Sequence, residues 1–323
     1  AIAQGKSANS LAGVAGVGHL GYHHARIYAA MENVELAGVA DPSPERREKA
    51  SADFGAPGFA DLDGLIAAKP DIVSVVTPTE GHHAATMRLL GAGIHVLVEK
   101  PIAATSAQAE EMVAAARDAG LLLQVGHIER FNAAVQALFE GIHAPRFIEC
   151  HRLSPYPNRN SDVSVVHDLM IHDLDIVLCL ARSEVVSVDA VGVPVFSSCE
   201  DIANARLRFA SGCVANLTSS RVSLEGMRKI RIFEDNAYVS TDYSAQQVLV
   251  YRKKPGPLPE GENPMASITV DPLPVTREEP LLRELQAFVR AVTLGEDPAV
   301  TGEDGLRALR LVEDIVEQIR SHR

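Results

Sequence analysis

The sequence is poor in basic residues for its size. Thirty lysines and arginines stand against forty-two aspartates and glutamates, which gives a formal net charge of -12. Nucleic acids and anionic lipid surfaces are bound by clustered cations, so neither is expected as a partner. A phosphorylated ligand would have to be held locally, by backbone N–H groups, a helix N-terminus or a few arginines.

Cysteine is also scarce. The four cysteines, Cys150, Cys179, Cys199 and Cys213, lie far apart and form no CxxC pair. That spacing argues against a zinc ribbon and against a redox dithiol, and no metal site is predicted. Scattered cysteines of this kind are typical of core positions in a reducing compartment, so we expect a cytoplasmic protein.

No long apolar run is present. The most apolar region, 163–180, is interrupted by Asp173 and Asp175, whereas a membrane-spanning helix needs roughly 18–20 apolar residues. We therefore expect no membrane partner. The first residues, AIAQGKSANS, lack the basic-then-apolar plan of a signal peptide and are interpreted as a mobile lead-in or a cloning remnant.

The first part of the chain alternates short apolar runs with helical stretches. The runs are LAGVA, VELAGVA, DIVSVV, IHVLV and LLLQV, a pattern typical of parallel strands that are buried on both faces. A chain of 323 residues suits two domains. We expect residues 1–126 to form an α/β domain with a doubly wound parallel sheet, the Rossmann arrangement.

The second part, residues 127–323, has a different pattern. After one strongly apolar helical stretch at about 162–181, apolar and polar residues alternate in VVSVDAVGV, NARLRF, CVANLTSSRV, MRKIRIF, AYVSTDY and QQVLVYR. This period of two predicts a largely antiparallel sheet with one covered face. A proline- and glycine-rich loop is expected at 255–264, and two helices, at about 279–294 and 302–320, complete an α+β domain.

A glycine-rich motif follows the first predicted strand. Residues 16–21 read GVGHLG, which matches GxGxxG at a strand-to-helix turn, and the next strand ends at Asp41, where a carboxylate can bind the adenosine ribose. Together they predict a dinucleotide site. Asp41 favours NAD because its charge repels a 2′-phosphate, but Arg46 and Arg47 follow closely enough to leave NADP open.

Two later strands end in polar motifs. DIVSVV is followed by TPTEGH, residues 77–82, and IHVLV by Glu99-Lys100-Pro101. Ligands of such sheets lie at the carboxyl ends of the strands, which places Lys100 at the nicotinamide end of the site. The predicted cofactor contacts are Gly16, Gly18, His19, Leu20, Gly21, Asp41, Thr77, Pro78, His82, Glu99 and Lys100.

A third motif, HDLMIHDLD at 167–175, lies in the apolar helical stretch. Helical spacing places Asp168, His172 and Asp175 on one narrow stripe. Buried carboxylates are costly unless they pair or line a cavity, so the stripe is either a structural His–Asp network or part of a catalytic site. His172 suits proton transfer near neutral pH, and we favour the catalytic interpretation.

In this order, GVGHLG, TPTEGH, EKP and the DxxxH helix resemble the glucose-fructose oxidoreductase / inositol dehydrogenase / MocA family over nearly the whole chain. The resemblance implies catalytic roles for Lys100, Asp168 and His172 and a cis Lys100-Pro101 bond. It also implies a homodimer or homotetramer built through the C-terminal sheet. Thr79 departs from the asparagine that many relatives have in this turn, so any cofactor contact made by that asparagine is in doubt.

Three further segments are similar to one branch of that family, the bacterial UDP-N-acetylglucosamine 3-dehydrogenases. They are GHIERFNAAV (126–135), the stretch 151–177 and MRKIRIFEDNAYVSTDY (227–243). The substrate implied is a UDP-N-acetylhexosamine oxidised at C3. Candidate substrate contacts are His127, Arg130, Asn132, Arg159 and His172, with Arg152 and Asn158 as further donors. Loop arginines in solvent explain Arg152 and Arg159 equally well, and His127 could instead cap its strand.

The resemblance implies a reaction in which His172 takes the hydroxyl proton. Lys100 is hydrogen-bonded to the same oxygen and Asp168 orients its partners, while hydride passes to C4 of the nicotinamide. Three alternatives stay open: a dehydrogenase of a free sugar or inositol, a glycosidase that uses NAD to oxidise C3 transiently, and a non-enzymatic NAD-binding sensor. The sensor is disfavoured because it needs no proton relay.

Overall fold

The computed structural model describes residues 9–156, 163–254, 256, 261 and 263–321 and divides into two compact units. The first unit comprises the residues up to Ile128 together with Leu281–Arg307, and the second comprises Glu129–Pro280 and Ala308–Arg323. The leading segment of the first unit thus ends close to the boundary expected at residue 126. Leu281–Arg307 groups with the first unit rather than with the second.

The first unit contains a six-stranded parallel sheet. Its strands are β1 (Ser10–Ala15), β2 (Val34–Ala40), β3 (Gly58–Phe59), β4 (Ile72–Val75), β5 (His95–Glu99) and β6 (Leu123–Gly126). They lie in the order β3-β2-β1-β4-β5-β6, and every neighbouring pair is parallel. The order reverses at β1, so the carboxyl ends of β1 and β4 flank the point where doubly wound sheets bind ligands. The predicted doubly wound sheet is confirmed.

Five helices connect these strands, with bounds α1 (His19–Ala30), α2 (Pro44–Phe54), α3 (Leu62–Ala67), α4 (Thr79–Gly91) and α5 (Ser106–Ala119). Three of them begin at side-chain caps, because Ser43, Asp61 and Thr105 accept backbone N–H groups of the first turn. Glycines end α2 and α5: Gly55 and Gly120 are left-handed, which glycine adopts without steric cost. Local sequence therefore specifies where several of the helices begin and end.

The second unit contains an eight-stranded sheet. Its elements are α6 (Ala133–Gly141), β7 (Phe147–Leu153), α7 (Ile171–Ala181), β8 (Val185–Val193), β9 (Ile202–Phe209), β10 (Val214–Ser220), β11 (Met227–Phe233), β12 (Ala237–Asp242), β13 (Gln247–Lys253) and β14 (Ile268–Leu273). The strand order is β14-β13-β12-β11-β7-β10-β9-β8, and all pairs are antiparallel except β7 with β10. The predicted, largely antiparallel second sheet is confirmed.

Burial alternates along the strands of this sheet. In β7 the side chains of Ile148, Cys150 and Arg152 are buried, while their neighbours are partly exposed. Ile148 and Cys150 join side chains of α6 and α7 in one apolar core, whereas Arg152 is buried in an ion pair with Asp173. In the part of the chain that the structure describes, most side chains on the opposite face, here called the open face, are partly exposed, as the period-two pattern predicted.

Two helices follow the sheet, α8 (Pro280–Leu294) and α9 (Gly302–Ser321). Their bounds differ from the predicted ones by a single residue each. Within the described ranges, every helix is too short or too polar to span a lipid bilayer. The loop expected at 255–264 lies partly outside the described residues.

Candidate active site

Two glycines of the GVGHLG turn are required by the packing of the chain itself. Gly16 has φ +88°, and a Cβ there would lie 2.6 Å from the carbonyl oxygen of Val76. A Cβ on Gly21 would lie 1.9 Å from the carbonyl oxygen of Gly16. These two positions therefore let α1 start close against β1 and β4.

At Gly18, in contrast, a side chain would not clash with the rest of the chain. The nearest atom to a Cβ at this position would be Nη1 of Arg46, at 3.9 Å, so the space above Gly18 is open. It borders a cavity of about 420 Å³ lined by Val17, Gly18, His19, Tyr22, His23, Arg46 and Lys49. Because α1 begins at His19, its N-terminal N–H groups can bind a pyrophosphate that approaches there. Because glycine has no side chain, position 18 leaves room for the pyrophosphate of NAD.

Asp41 is buried at the carboxyl end of β2 and is held in place by backbone groups. One carboxylate oxygen accepts the N–H of Val17 and the other that of Ser43, both at 2.9 Å. Arg47 donates to the carbonyl oxygen of Asp41 at 2.8 Å, not to its carboxylate. The carboxylate is thus fixed beside the glycine-rich turn and retains acceptor capacity for ribose hydroxyls, the geometry that NAD requires.

A larger cavity, of about 550 Å³, lies at the amino ends of the strands of the same sheet. It is lined in part by Ser10, Asp71 and His95, which lie at or just before the first residues of β1, β4 and β5. Asp71 is already engaged there, since it accepts the N–H of Leu11 at 2.8 Å. Doubly wound sheets bind their ligands at the carboxyl ends of the strands. The cavity beside Gly18 is therefore the better candidate for the cofactor site.

Lys100 directly follows β5 and is half-buried. Its backbone N–H donates to one carboxylate oxygen of Glu99 at 3.2 Å, and the other oxygen of Glu99 lies 3.2 Å from Nε2 of the buried His24. The Lys100-Pro101 bond is cis, as the resemblance implied. A Cβ on Gly126 would lie 2.8 Å from the Glu99 carboxyl carbon, so this glycine makes room for the Glu99 side chain.

His82 lies on α4 and is 1% exposed. Its Nδ1 lies 2.9 Å from the carbonyl oxygen of Pro101 and its Nε2 lies 2.9 Å from that of Thr77. Burial lowers the pKa of the imidazole, and the two backbone carbonyls together with Glu99 and Glu80 act in the opposite direction. Both ring nitrogens thus face backbone at the ends of β4 and β5, whereas the sequence predicted a direct cofactor contact.

Glu284, on α8, was not identified from the sequence. It is fully buried, and within the part of the chain that the structure describes neither carboxyl oxygen has a hydrogen-bond partner. Burial raises the pKa of Glu284 well above its ordinary value, and the charge of Glu99 raises it further. The sequence feature that could have identified it is the position of Glu284 on the same helical face as the apolar residues Leu281, Leu285 and Phe288.

We expect Glu284→Gln to stabilise the protein at mildly alkaline pH. A raised pKa means that the folded protein keeps a proton that the unfolded chain releases above pH about 4.3. That contribution to stability is complete below this pH and is lost as the pH rises toward the raised pKa. The glutamine variant should therefore gain about 1–3 kcal/mol in the free energy of unfolding at alkaline pH and little near pH about 4.

Urea unfolding at the two pH values measures this difference. The exposed Glu32, in the same unit, provides the control variant Glu32→Gln, which should behave like the wild type at both. A glutamine variant at position 284 that is less stable than the wild type at alkaline pH would contradict a protonated, buried Glu284.

In the second unit, the segment that carries Asp168 and His172 is not a uniform α-helix. Residues Val166–Met170 form a π-helical turn, and the α-helix α7 begins at Ile171. Single π-turns inside helices are frequent at functional sites. Asp168 and His172 are half-buried, whereas Asp175 is buried and pairs with Arg130. The stripe expected from α-helical spacing is therefore interrupted, and Asp175 has a structural partner.

Two arginines considered as substrate ligands form buried ion pairs in the second unit. Arg130 donates to both carboxylate oxygens of Asp175, at 2.7 and 2.6 Å. Arg152 donates to both oxygens of Asp173 at 2.9 Å and to Glu129 at 2.9 Å. Burial raises the pKa of Asp173, and Arg152 opposes that shift. Arg152 thus fixes Asp173, the residue directly after His172, and Arg130 fixes Asp175 further along α7.

The remaining candidate substrate ligands differ in how the structure describes them. Asn132 is buried and caps α6, accepting the N–H of Ala134 at 3.0 Å. His127, next to the end of β6, is 1% exposed. Arg159 and Asn158 lie outside the described residues. Substrate contact by Arg130, Asn132, His127 and Arg159 stays a prediction.

The structure groups the candidate residues within each unit. The glycine-rich turn, Asp41, the turn at Thr77-Pro78, His82 and Lys100 belong to the first unit, at the carboxyl ends of its strands. Asp168 and His172 belong to the second unit, on one continuous helical segment. The first group is arranged to bind a dinucleotide, and the second offers a carboxylate and an imidazole for proton transfer.

Comparison with protein-family models identifies both units. Residues 11–127 match the model described as the oxidoreductase family with an NAD-binding Rossmann fold, GFO/IDH/MocA. Residues 140–240 match the GFO/IDH/MocA C-terminal domain. The first unit is therefore an NAD-binding domain, and the predicted cofactor is confirmed.

Two named relatives match along nearly the whole chain. UDP-N-acetylglucosamine 3-dehydrogenase from Acidithiobacillus ferrooxidans is 37% identical over 298 residues, which covers 92% of this chain and 93% of the relative. Myo-inositol 2-dehydrogenase from Thermotoga maritima is 26% identical and covers 93% of each chain. A solved structure of the Acidithiobacillus enzyme superposes with a TM-score of 0.90 at 34% identity, covering 97% of this chain and 98% of the other.

Proposed function

Because the chain belongs to the GFO/IDH/MocA oxidoreductase family, we propose that this NAD-dependent sugar dehydrogenase oxidises the C3 hydroxyl of a UDP-N-acetylhexosamine. The observation that carries the proposal is the 37% identity with a UDP-N-acetylglucosamine 3-dehydrogenase over 92% of the chain. The branch-like segments at 126–135, 151–177 and 227–243 support the same substrate class.

Bound NAD supplies the hydride acceptor, C4 of its nicotinamide. The first unit binds it through the open space at Gly18 and the fixed carboxylate of Asp41. In the proposed reaction the ammonium group of Lys100 donates a hydrogen bond to the reacting oxygen of the sugar. It thereby stabilises the charge that develops as the hydroxyl proton leaves.

His172 is the proposed general base. Imidazole is the side chain best suited to accept a proton near neutral pH. Asp168 lies one turn before His172 along the same helical segment, where its carboxylate can orient the groups that take part in proton transfer. The buried pair of Arg152 with Asp173, the residue after His172, fixes this part of α7.

A second candidate substrate is a free polyol. The full-length similarity to a myo-inositol 2-dehydrogenase, at 26% identity, favours it to a lesser degree. A UDP-sugar dehydrogenase and a polyol dehydrogenase would share the catalytic residues and differ in the groups that bind the rest of the substrate. A UDP-sugar needs donors for its pyrophosphate, whereas an inositol needs only hydroxyl partners.

The experiment that separates them is a substrate panel. The purified protein is incubated with NAD and with UDP-sugars, free hexoses and inositols, and formation of reduced cofactor is followed by absorbance. A coupled aminotransferase with glutamate is included, because a 3-keto product that accumulates holds the equilibrium back. Turnover of UDP-N-acetylhexosamines alone supports the proposal, and turnover of inositols or free hexoses alone overturns it.

We propose a cytoplasmic location, as expected from the scattered cysteines. The support is that Cys150 and Cys213 are buried thiols, and burial raises the pKa of Cys213 to about 11. Such thiols are unreactive core residues, typical of proteins that work in a reducing compartment.

We further propose that two or more copies of the chain associate through the open face of the second sheet. An aromatic row crosses four neighbouring strands there: Phe147, Phe233, Tyr238 and Tyr251 have successive ring centroids 5.8, 4.8 and 5.0 Å apart. Val191, on β8, is 60% exposed. Apolar and aromatic side chains on one open face are typical of interfaces between subunits.

Phe233→Asp is expected to weaken this association. A carboxylate in the middle of the aromatic row would have to be buried without a counterion, which shifts the population toward monomer. Light scattering coupled to size-exclusion chromatography measures the mass. Leu224→Asp, a change at a 98% exposed residue in the turn before β11, is the control and should keep the wild-type mass. A monomeric wild type would overturn the proposal.

A further inference from the structure

The imidazole of His82 joins the backbone at the ends of two strands. Thr77 follows β4 and Pro101 follows β5 after Lys100, and the carbonyl oxygens of Thr77 and Pro101 each lie 2.9 Å from one ring nitrogen. With 1% of its surface exposed, the ring presents almost nothing to a ligand. Its effect on the site is therefore exerted through the backbone that it contacts.

Only a protonated nitrogen can bond to a carbonyl oxygen, because a carbonyl oxygen accepts and never donates. A neutral imidazole has one N–H and can serve one of the two carbonyls, whereas the imidazolium can serve both. Burial lowers the pKa of His82, which favours the neutral ring, while Glu99 and Glu80 oppose that shift. Which carbonyl is held thus depends on which nitrogen carries the hydrogen.

The Pro101 carbonyl belongs to the residue directly after Lys100. On the other side of the lysine, the Lys100 N–H is bonded to Glu99, whose second oxygen lies 3.2 Å from His24. A bond from Nδ1 of His82 to Pro101 would complete the support, so that the backbone on both sides of Lys100 is fixed by buried side chains. A small displacement of a catalytic group costs about 10²-fold in rate, which gives such support a large effect.

We propose that His82 is a positioning residue for Lys100: its Nδ1–H holds the carbonyl oxygen of Pro101 and thereby fixes the backbone that carries the lysine. This inference rests on the proposed catalytic role of Lys100. It assigns His82 an action on the reaction through the main chain, in place of the direct cofactor contact predicted from the sequence.

Two substitutions separate the two hydrogen bonds. The side-chain amide of asparagine can place an N–H near the position of Nδ1, and that of glutamine near the position of Nε2. His82→Asn therefore retains a donor for Pro101, and His82→Gln retains a donor for Thr77. His83→Gln is the matched control, because His83 is the next residue on α4 and contacts Glu111 at the surface.

His82→Asn is expected to keep kcat within about threefold of the wild type. His82→Gln is expected to lower kcat by about 10–100-fold, with the Kd for NAD within about threefold. A purely structural role would change melting temperature without separating the two variants in kcat. The inference is overturned if both variants keep wild-type kcat, if both lose it equally, or if only the glutamine variant keeps it.

A measurement on the wild-type protein decides the matter even if the variants fold poorly. Nitrogen-15 chemical shifts of labelled histidine report which ring nitrogen carries hydrogen, and the signal of His82 is identified from the sequential resonance assignment of the wild-type protein. We expect a protonated Nδ1 at neutral pH. An unprotonated Nδ1 would overturn the inference, since it could not donate to Pro101.

Lys100→Ala separates this inference from the proposed function. If Lys100→Ala loses turnover while both His82 variants keep it, only the positioning role fails. If Lys100→Ala keeps turnover, the catalytic assignment of Lys100 fails, and the role of His82 fails with it.

Discussion

Lys100→Ala is expected to lower kcat by about 10²–10⁴, the usual range for groups that assist proton transfer. The variant lacks the ammonium group that stabilises the oxygen as its proton leaves. Binding of NAD should survive, because the glycine-rich turn and Asp41 are unchanged and Lys100 lies after the last residue of β5. His172→Ala should have an effect of similar size on kcat for the same reaction.

Steady-state kinetics and NAD titration by fluorescence measure the two quantities separately. Lys254→Ala, a change at an exposed lysine in the second unit, is the control and should leave both unchanged. Wild-type turnover in Lys100→Ala or in His172→Ala would remove that residue from the mechanism. Loss of NAD binding together with turnover would instead indicate a role for Lys100 in holding the cofactor.

Arg152→Met is expected to lower the free energy of unfolding by about 3–5 kcal/mol. The side chains of Arg152 and Asp173 are 4% and 2% exposed, and Glu129 is the second carboxylate on the same guanidinium. Methionine fills a similar volume but leaves both carboxylates without their counterion. Breaking one side of a buried pair costs more than the pair itself contributes, because the remaining charge stays buried.

Thermal or urea unfolding of this variant distinguishes a structural arginine from a substrate ligand. Arg320→Met, at an exposed position near the end of α9 in the same unit, is the matched control and should change stability by less than about 0.5 kcal/mol. If Arg152→Met folds as stably as the wild type and only its KM for substrate rises, Arg152 is a ligand and the structural role is excluded.

Much of the first unit followed from local sequence. The apolar runs identified five of the six parallel strands, because strands buried on both faces need apolar residues at every position. The turn containing Gly16 and Gly21 was predictable because its geometry tolerates no Cβ. Ligands of such sheets lie at the carboxyl ends of the strands, and the structure has Asp41 and Lys100 there, directly after β2 and β5.

The second unit was less predictable from the sequence. Strand β7, FIECHRL, lies at the centre of the eight-stranded sheet, yet its charged residues broke the apolar pattern. A central strand tolerates these charges because Arg152 pairs with Asp173 and Glu149 pairs with Arg231. Such pairs join residues that are distant in sequence, so no local pattern reveals them.

The same reason explains the unexpected features of the site. Helical spacing predicted one stripe through Asp168, His172 and Asp175, but a π-turn intervenes and Arg130 takes Asp175. Glu284 is buried on the apolar face of α8, where the charge of Glu99, which is distant in sequence, raises its pKa beyond the effect of burial. Sequence patterns indicate which residues are polar and where strands end, and tertiary packing decides which partners they meet.

The most direct test of the central claim follows the hydride itself. UDP-N-acetylglucosamine carrying deuterium at C3 is incubated with the protein, NAD, an aminotransferase and glutamate, and the reduced cofactor is analysed by mass spectrometry. The account predicts that deuterium appears in the reduced nicotinamide, and that substrate labelled at C2 gives none. Reduced cofactor without deuterium from the C3-labelled sugar, or no reduction while an inositol is oxidised, would contradict it.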